Sequence, residues 1–422
     1  MQFQNTLEFA KQLDANDSLK RYREEFYFPQ VNDKNVIYFT GNSLGLQPKR
    51  TQKFVDEIMA DWKNLAVEGH FYAEKPWWDY HERLSKPLAN VVGANPEEVT
   101  VMNTLTVNLH LLMVSFYRPK GKRFKILCEE KAFPSDQYML VSQLRFHGFS
   151  ADEALIEVKK RPGEHFWRTE DIISKIEENA NEIALVLIGG VNYYNGQVFD
   201  MKTITEAGHK AGATVGWDLA HAAGNIKLEL NEWDVDFASW CSYKYMNSGP
   251  GNASGVYINK KHLGKKDIPR FEGWWGHNKS RRFLMEPEFD PMPNAEAWQL
   301  SNAPVLSVAP YLASLELFDE VGMDVLIEKS KLLTAYLEFV LQEIDKQVSS
   351  SFEIITPKER GCQLSVFLHG QGRPIFDYLM KNGVITDWRE PNVIRLAPAP
   401  FYCSFEDMYH FGQILKAGIL EK

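Results

Sequence analysis

The chain has 422 residues, of which 44% are hydrophobic and 24% charged, a composition typical of a globular rather than a disordered protein. This length exceeds one ordinary domain and predicts two packed domains with a large core. The formal net charge of -9 argues against nucleic acid or an acidic membrane surface as a partner.

The cysteines are Cys128, Cys241, Cys362 and Cys403. They show no paired spacing, which predicts neither a disulfide framework nor a zinc site and fits a reducing compartment. The N-terminal stretch lacks the apolar centre of a signal peptide, and no apolar run is long enough to span a bilayer. We therefore predict a cytoplasmic protein with no metal, no membrane partner and no nucleic-acid partner.

The first predicted elements are a helix over residues 6–25, a short strand over 36–40 and a loop, Gly41-Asn-Ser-Leu-Gly45. The glycines and the asparagine of this loop favour a close approach of the backbone and the Ser43 hydroxyl to a ligand, with a plain turn as the alternative. A helix over 51–63 follows. The aromatic stretch 69–81 then predicts either core or a dimer interface, and His70 within it is more simply a structural histidine on sequence alone.

Residues 99–110 carry a predicted strand into a helix. The N-terminus of a helix presents free N–H groups and the positive end of its dipole, so it can bind phosphate. We assign Leu105 and Thr106 to such a site, although ordinary capping explains the threonines equally well. A strand over 124–128 and a loop follow, and Phe133 in that loop is suited to stack on a flat ring.

The middle of the chain alternates strands and helices. Residues 182–190 are almost continuously apolar, which is typical of a strand buried on both faces of a parallel sheet. A crossover helix over 203–211 and a strand over 212–218 continue the pattern. This order predicts an open, mostly parallel α/β sheet with its ligand at the carboxyl ends of the strands. Asp218 stands at such an end, three residues before His221.

Ser242-Tyr243-Lys244 follows about two dozen residues later, flanked by aromatic residues. Burial lowers the pKa of a lysine, which suits Lys244 to form a Schiff base. A carboxylate such as Asp218 is the usual partner that keeps the ring nitrogen of pyridoxal phosphate protonated. Taken singly, Asp218 is more simply a helix cap and Lys244 half of an ion pair, but the acid, the histidine and the lysine in this order favour catalysis.

Beyond the lysine, residues 270–282 predict a loop rich in Trp, Gly and His, and Ser301-Asn302 opens a helical stretch to about residue 346. The last region alternates strands over 362–369 and 393–398 with helices over 373–382 and 405–420. Arg395 lies on the final strand. Its guanidinium is suited to clamp a carboxylate, whereas a surface position is the commoner fate of an arginine.

At these residues the chain resembles the pyridoxal-phosphate enzymes of fold type I, specifically the class V aminotransferase group, and within it the kynureninase family. Asp218-Leu-Ala-His221 and Cys241-Ser-Tyr-Lys-Tyr245 are similar to the cofactor signatures of the group. The more discriminating motifs are Gly41-Asn-Ser-Leu-Gly45, Phe133-Pro-Ser-Asp136, Gly273-Trp-Trp-Gly-His277 and Ser301-Asn-Ala-Pro304.

The resemblance implies a large domain with a mostly parallel seven-stranded sheet flanked by helices, plus a smaller α+β C-terminal domain. We predict an N-terminal segment over 1–50 that packs with the small domain, a large cofactor-binding domain over 51–310 and a small domain over 311–422. The resemblance also implies a homodimer in which the loop with Trp274 and the Ser301-Asn302 turn reach the neighbour's active site.

The implied cofactor is pyridoxal 5′-phosphate, held as a Schiff base on Lys244. The residues implied to contact it are Leu105, Thr106, Phe133, Pro134, Ser135, Asp136, Asp218, His221, Tyr243, Lys244, Trp274 and Asn302. Those implied to contact the substrate are Ser43, His70, Ser301, Asn302 and Arg395. Lys244, Tyr243 and Asp218 take the catalytic roles, with Tyr243 relaying protons or, alternatively, only binding the phosphate.

Members of this family hydrolyse the Cβ–Cγ bond of kynurenine to anthranilate and alanine, or convert 3-hydroxykynurenine to 3-hydroxyanthranilate and alanine. These reactions belong to tryptophan degradation through the kynurenine pathway and to NAD biosynthesis. We hypothesise that this chain uses 3-hydroxykynurenine at least as well as kynurenine. The resemblance implies this preference, because the family forms that prefer 3-hydroxykynurenine are similar to this chain in having a His at the position of His70 and a Ser-Asn pair at Ser301-Asn302. A histidine and an amide offer hydrogen-bond partners for a ring hydroxyl, and burying them unpaired would penalise the substrate that lacks it.

Two rival functions are compatible with the same fold. A cysteine desulfurase shares the fold but needs a reactive thiol on a mobile loop corresponding to residues 383–395, which contain no cysteine. A catalytically idle binding protein would have lost Lys244 or Asp218, and both are present. We therefore expect a hydrolase of the kynureninase type, with a desulfurase-like class V enzyme as the alternative.

Overall fold

The structure is a computed structural model of the full chain, and it describes residues 2–348, 351–370 and 372–421. The outer ends of the predicted first and last domains, Met1 and Lys422, lie outside the described residues. Among those residues, no helix has both the length and the apolar character needed to cross a bilayer.

The helices set the framework around a central sheet. In chain order they are α1 (Leu7–Ala15), α2 (Thr51–Leu65), α3 (Gly69–Tyr72), α4 (Ser85–Val92), α5 (Leu105–Phe116), α6 (Pro134–Phe146), α7 (Ala151–Ala154), α8 (Thr169–Glu178), α9 (Met201–Lys210), α10 (Val305–Val321), α11 (Met323–Asp345), α12 (Gly372–Lys381) and α13 (Phe405–Leu420).

The strands form one large sheet and several smaller pairings. In chain order they are β1 (Gln30–Val31), β2 (Lys34–Asn35), β3 (Ile37–Tyr38), β4 (Val99–Met102), β5 (Lys125–Glu129), β6 (Leu155–Val158), β7 (Ile183–Gly189), β8 (Thr214–Asp218), β9 (Phe237–Trp240), β10 (Ser254–Ile258), β11 (Phe352–Ile354), β12 (Leu364–Leu368), β13 (Val384–Ile385), β14 (Asp387–Arg389) and β15 (Val393–Leu396).

The large sheet has seven strands in the order β4-β10-β9-β8-β7-β5-β6. Strands β6, β5, β7, β8 and β9 run parallel to one another, and β10 runs antiparallel to both of its neighbours. The predicted fold class, an α/β architecture with a mostly parallel seven-stranded sheet, is confirmed. The strand order brings the carboxyl ends of β5, β7 and β8 side by side at one edge.

The sheet is buried on both faces because its strands carry apolar residues without alternation. Along β7, Val186 and Ile188 belong to one hydrophobic cluster, whereas Leu185 and Leu187 belong to another. Side chains at alternate strand positions point to opposite faces, so the two clusters cover the two sides of the sheet. Burying both faces fixes the positions of the strand ends that carry polar side chains.

The C-terminal region contains a second, antiparallel sheet with the order β11-β12-β15-β14. The N-terminal segment packs onto this region rather than onto the large sheet. Strand β3 pairs in parallel with β13, and the carboxylate of Asp14 in α1 accepts the backbone N–H groups of Phe405 and Glu406 at 2.8 and 2.9 Å. A carboxylate at the start of a helix stabilises it, so α1 caps α13.

Two predicted helices differ from those observed. The helix expected over residues 6–25 ends at Ala15 and resumes as a 3-10 turn at Lys20, because the Asp17 carboxylate accepts the Leu19 N–H at 2.8 Å and stabilises a turn. The helical stretch expected from 301 to about 346 is divided at Gly322, whose φ of 80° lies in the left-handed region. The predicted domain boundary at residues 310 and 311 falls inside α10.

Candidate functional site

A cavity of about 530 Å³ opens at the carboxyl ends of β5, β7 and β8. It collects side chains from the N-terminal loop, from the starts of α5 and α6, from the segment after β9 and from β15. The predicted site residues that line it are Ser43, Leu105, Thr106, Phe133, Ser135, Asp136, Asp218, His221, Tyr243, Lys244 and Arg395.

Lys244 lies beside His221 within this cavity. Its Nζ is 3.0 Å from His221 Nε2 and 5.9 Å from the centre of the Phe133 ring. Burial, with a smaller contribution from the charge of Lys244, lowers the pKa of His221 well below its ordinary value. The neutral imidazole can therefore accept a hydrogen bond from the lysine amine. His221 Nδ1 is buried without a hydrogen-bond partner among the described residues.

Asp218 and Asp136 form a buried acidic pair. Asp218 ends β8, and its Oδ1 accepts the Ala220 N–H at 2.7 Å. Asp136 lies in the first turn of α6, where burial and then the neighbouring Asp218 raise its pKa well above the ordinary value. Asp136 Oδ1 is buried without a hydrogen-bond partner among the described residues. An unpartnered buried acceptor is costly, so this pair is suited to bind a protonated nitrogen.

The N-terminus of α5 forms another part of the cavity wall. Thr104 is the N-cap residue, but its side chain makes no capping hydrogen bond. The first N–H groups of a helix have no partner within it, and the helix dipole is positive at this end. Leu105 and Thr106 line the cavity here together with Gly251. The arrangement is suited to bind a phosphate, as the sequence predicts.

Tyr243 reaches the same cavity beside the lysine. Burial raises the pKa of its phenol, and the Cys241 thiol lies 3.4 Å from the phenol oxygen as a hydrogen-bond donor. The phenol therefore keeps its proton at neutral pH and can donate it. Burial also raises the pKa of the Cys241 thiol, so that this cysteine is protonated rather than a reactive thiolate.

Arg395 is buried in the small sheet and only 1% exposed, so the surface position that is commoner for arginine does not apply. Its guanidinium donates to the Asp387 carboxylate and, at 2.6 Å, to the Tyr193 carbonyl. Burial lowers its pKa, whereas Asp387 opposes that change. Its Nε has no hydrogen-bond partner among the described residues, so the Nε–H is available to a ligand.

Five predicted residues do not line this cavity: Pro134, His70, Trp274, Ser301 and Asn302. Pro134 starts α6 beside the cavity-lining Phe133 and Ser135. Ser301 and Asn302 are exposed, and Trp274 is 45% exposed and packs edge-on against Phe283. The Nδ1 of His70 lies 3.0 Å from the Val67 carbonyl oxygen. A single chain does not bring these residues to its own cavity, so their roles stay predictions.

Other lining residues were not singled out from the sequence. They are Asn42, Thr104, Glu129, Gly189, Val191, Tyr193, Ala220, Cys241, Gly251 and Arg389. Asn42 belongs to a motif that the sequence did reveal, and Glu129 ends a strand as Asp218 does, so both had a detectable signal. Tyr193 lies in the segment after β7, but an aromatic residue there gives no functional signal by itself. Arg389 had none, because only the packing of the small sheet brings it to the cavity.

The sequence has close relatives along its whole length. It is 75% identical to a protein named Kynureninase from Christiangramia forsetii, with all of both chains covered. It is 52% identical to a Kynureninase from Myxococcus xanthus, with 98% of this chain and 97% of the relative covered. A family model described as the kynureninase C-terminal domain matches residues 326–415.

Solved structures show the same fold at low sequence identity. A cysteine desulfurase from Thermococcus onnurineus superposes with a TM-score of 0.78 at 16% identity, covering 96% of this chain and 98% of its own. A C-DES variant with glycine covalently linked to its pyridoxal-phosphate cofactor also has a TM-score of 0.78, at 15% identity, covering 93% and 98%. At these identities the similarity establishes the fold.

Proposed function

Because the chain belongs to the kynureninase family, we propose that it hydrolyses the Cβ–Cγ bond of kynurenine and 3-hydroxykynurenine. The products are anthranilate or 3-hydroxyanthranilate, each with alanine. The observation that carries this proposal is the meeting of Lys244, the Asp218–Asp136 pair and Arg395 in one cavity, in a chain 75% identical to a kynureninase. An amine, an acid and a carboxylate clamp are the groups that this reaction requires.

The cavity fits pyridoxal 5′-phosphate, the cofactor of this family. Lys244 would hold its aldehyde carbon, Asp218 and Asp136 its ring nitrogen, and the α5 N-terminus its phosphate. The buried, unpartnered Asp136 Oδ1 and the uncapped first turn of α5 are the polar groups that such a ligand would satisfy. When bound, the cofactor supplies an electron sink for the charge that develops at the substrate Cα.

Proton movements fall to groups already in place. We propose that the Lys244 amine, released when the substrate binds, takes the Cα proton, while neutral His221 accepts a hydrogen bond from it and fixes its direction. A water molecule adds to the aryl ketone carbon. The Tyr243 phenol, which keeps its proton, then protonates Cβ as the bond to that carbon breaks, and it regains a proton from the hydrated carbonyl as the aryl carboxylic acid forms. The Nε–H of Arg395 would bind the substrate carboxylate.

We propose that the enzyme is a homodimer whose active site is completed across the interface by Trp274, Ser301 and Asn302, and that His70 faces the aryl ring of the substrate. The support is an exposed aromatic surface in the same region. Phe71 and Phe283 are 51% and 54% exposed, and their ring centres lie 6.3 Å apart. Exposed apolar clusters of this kind mark interaction sites.

Hydrogen-bond partners from His70 and Asn302 would favour 3-hydroxykynurenine, which fits a role in NAD biosynthesis through the kynurenine pathway.

Two further proposals concern organisation and location. We propose that residues 1–50, 51–310 and 311–422 are an N-terminal segment, a large domain and a small domain, supported by the pairing of β3 with β13. We also propose a cytoplasmic location, supported by four cysteines that are all free and buried.

The desulfurase alternative is weaker. The segment in which a desulfurase needs its mobile thiol loop here contains β13 and β14 and no cysteine. No specific observation on this chain favours that activity.

The test is a side-by-side assay of the protein with added pyridoxal phosphate on kynurenine, 3-hydroxykynurenine and cysteine. Release of the fluorescent aryl acid from both kynurenines is expected, with the hydroxylated substrate used at least as well.

Lys244→Ala should lower kcat by at least about 10³-fold. A kcat/KM clearly favouring kynurenine would contradict the preference. Sulfide release from cysteine without aryl acid would overturn the function.

A further inference from the structure

Three acidic side chains, rather than the two predicted, meet in the cavity. Glu129 ends β5, Asp136 lies in the first turn of α6, and Asp218 ends β8. They are 4%, 7% and 7% exposed, and all three line the cavity. The mechanism above uses Asp136 and Asp218 for the ring nitrogen but leaves Glu129 without a role.

A glycine allows the three acids to converge. Strand β7 lies between β5 and β8 and ends at Gly189, which pairs with Asp218. The Gly189 N–H donates to Glu129 Oε1 at 3.3 Å. A Cβ atom on Gly189 would lie 3.2 Å from that same oxygen, a tight contact. The strand between the acids therefore ends without a side chain, and the Glu129 carboxyl group occupies the space.

The surroundings of Glu129 disfavour its charge. The cations Lys244, Arg389 and Arg395 line the same cavity, but the titratable groups whose charges couple to Glu129 are Cys128 on its own strand, Asp136 from α6, Tyr193 from the segment after β7 and Asp218 from β8. None of these four is a cation, and Glu129 Oε2 is buried with no hydrogen-bond partner among the described residues. Burial, with the charge of Asp218 adding to it, raises the pKa of Glu129 to about 8.

We infer that Glu129 is a positioning residue of the cofactor pocket: as a neutral acid it limits the negative charge beside Asp136 and Asp218. The negative charge of the pocket is then closer to the single positive charge of a protonated ring nitrogen than it would be with three ionised carboxylates. The identity of that cation rests on the proposed function. The neutral state of Glu129 rests only on its burial and on the groups around it.

The first test measures the unfolding equilibrium of the full-length chain, stripped of cofactor, between pH 5.5 and pH 9. A carboxyl whose pKa is raised by folding contributes stability that is fully present below its ordinary pKa and is lost as the pH rises toward 8. In the unchanged chain, the loss of this proton on unfolding should raise the unfolding equilibrium constant by up to about tenfold per pH unit. Glu129→Gln lacks the carboxyl, so its unfolding constant should rise less steeply with pH by that factor. Glu130→Gln, on the adjacent half-buried residue, is the matched control and should follow the unchanged chain.

The second test is the affinity of the variants for pyridoxal phosphate, measured by absorbance without substrate. Because glutamine resembles the neutral acid, Glu129→Gln should bind within about threefold of the unchanged chain at pH 7. A loss of more than about tenfold would show that the carboxylate charge is needed and would overturn the inference. An identical pH dependence of unfolding in Glu129→Gln and the unchanged chain would also overturn it.

If Glu129→Gln does not fold, infrared spectroscopy of cofactor-free Asp136→Asn decides the question, because that variant lacks the other acid of the cavity whose pKa is raised. A protonated carboxylic acid band that disappears between pH 7 and pH 9 is expected, and its absence at pH 7 would refute the neutral state. None of these measurements uses a kynurenine. Failure of the proposed hydrolysis would therefore leave the charge state of Glu129 unaffected, and failure here would leave the hydrolysis assay unaffected.

Discussion

At the scale of single residues, the most demanding assignment is Arg395. It is the only residue proposed to hold the substrate carboxylate from the small sheet, and two of its three nitrogens are already engaged by Asp387 and Tyr193. Those contacts hold the guanidinium in place while Nε stays without a partner. A lysine carries its three donors on one nitrogen and lacks the planar guanidinium, so it cannot reach these separate partners in the same geometry.

We therefore predict that Arg395→Lys raises KM for kynurenine about 10- to 100-fold, with a smaller effect on kcat. Steady-state kinetics at saturating cofactor measure both constants. The control is Arg373→Lys, an exposed arginine on α12 that pairs with Asp377. Its KM should stay unchanged, and equal effects of the two substitutions would show that Arg395 is not the clamp.

The sequence predicts the residues of the site unevenly, and the reason is physical. Asp218 ends β8 and His221 follows it, while Lys244 follows the adjacent parallel strand β9. The carboxyl ends of neighbouring parallel strands meet at one edge, so the order of these residues indicates a shared site. Glu129 ends a strand in the same way, but a single acid there has many structural explanations. Arg389 had no such signal, because it lies in the small sheet, on a strand paired with the next strand in the chain, and only the packing of that sheet brings it to the cavity.

At the scale of elements, the loop that contains Lys244 is braced by the N-terminal loop. The Gly45 N–H donates to the Tyr243 carbonyl at 2.9 Å. A Cβ on Gly45 would lie 2.5 Å from the Lys244 carbonyl oxygen and 2.1 Å from Asn247 Oδ1. Gly45 is therefore required by close backbone approach, and the position of the catalytic lysine depends on it.

We predict that Gly45→Ala lowers the affinity for pyridoxal phosphate at least about tenfold and destabilises the chain by about 1 to 3 kcal/mol. Absorbance titration and chemical unfolding measure the two effects. Asn247 has a positive φ of 53°, which glycine adopts freely, so Asn247→Gly can be added to remove one of the two clashes. The double variant should recover only part of the affinity. Full recovery would mean that the contact with the lysine carbonyl is unimportant.

At the opposite end of the strands from the site, the buried Asp236 carboxylate binds groups from several elements. It accepts hydrogen bonds at 2.8 Å from His209 in α9, from His262 and from the Val215 N–H of β8. The hydrogen bonds outweigh burial and lower the pKa of Asp236 well below its ordinary value. The carboxylate thus fixes the amino-terminal ends of strands whose other ends carry the site.

We predict that Asp236→Asn lowers the free energy of unfolding by about 2 to 4 kcal/mol at pH 7. A carboxyl whose pKa is lowered by folding stabilises above its ordinary pKa of 3.8, and this contribution is lost as the pH falls below that value. The difference between the two proteins should therefore shrink in acid. Asp234→Asn, on a carboxylate that is 59% exposed, should change stability by less than about 1 kcal/mol.

At the scale of the whole molecule, the proposed sharing of the active site between two subunits can be tested by combining two variants. Lys244 lines the cavity of its own chain, whereas Asn302 is exposed and outside that cavity. If the site is shared, the lysine of one subunit works with the asparagine of the other. A dimer that combines one defect of each kind then has one intact site.

We predict that Lys244→Ala and Asn302→Ala are each strongly impaired, and that unfolding and refolding them as an equal mixture restores about a quarter of the unchanged activity. The measurement is kcat per subunit before and after mixing. Refolding each variant alone controls for handling. If mixing restores nothing, each site is built within one subunit and the proposed sharing is wrong.

The pairing of β3 with β13 has a consequence for synthesis. Ile37 leaves the ribosome early, but its parallel partner Val384 follows about 350 residues later. Until then the nascent chain carries an open strand edge close to the loop that braces the lysine. Nearly complete translation is thus a precondition for assembling the catalytic centre, and a product terminated before β13 would be a candidate for aggregation rather than a weakly active enzyme.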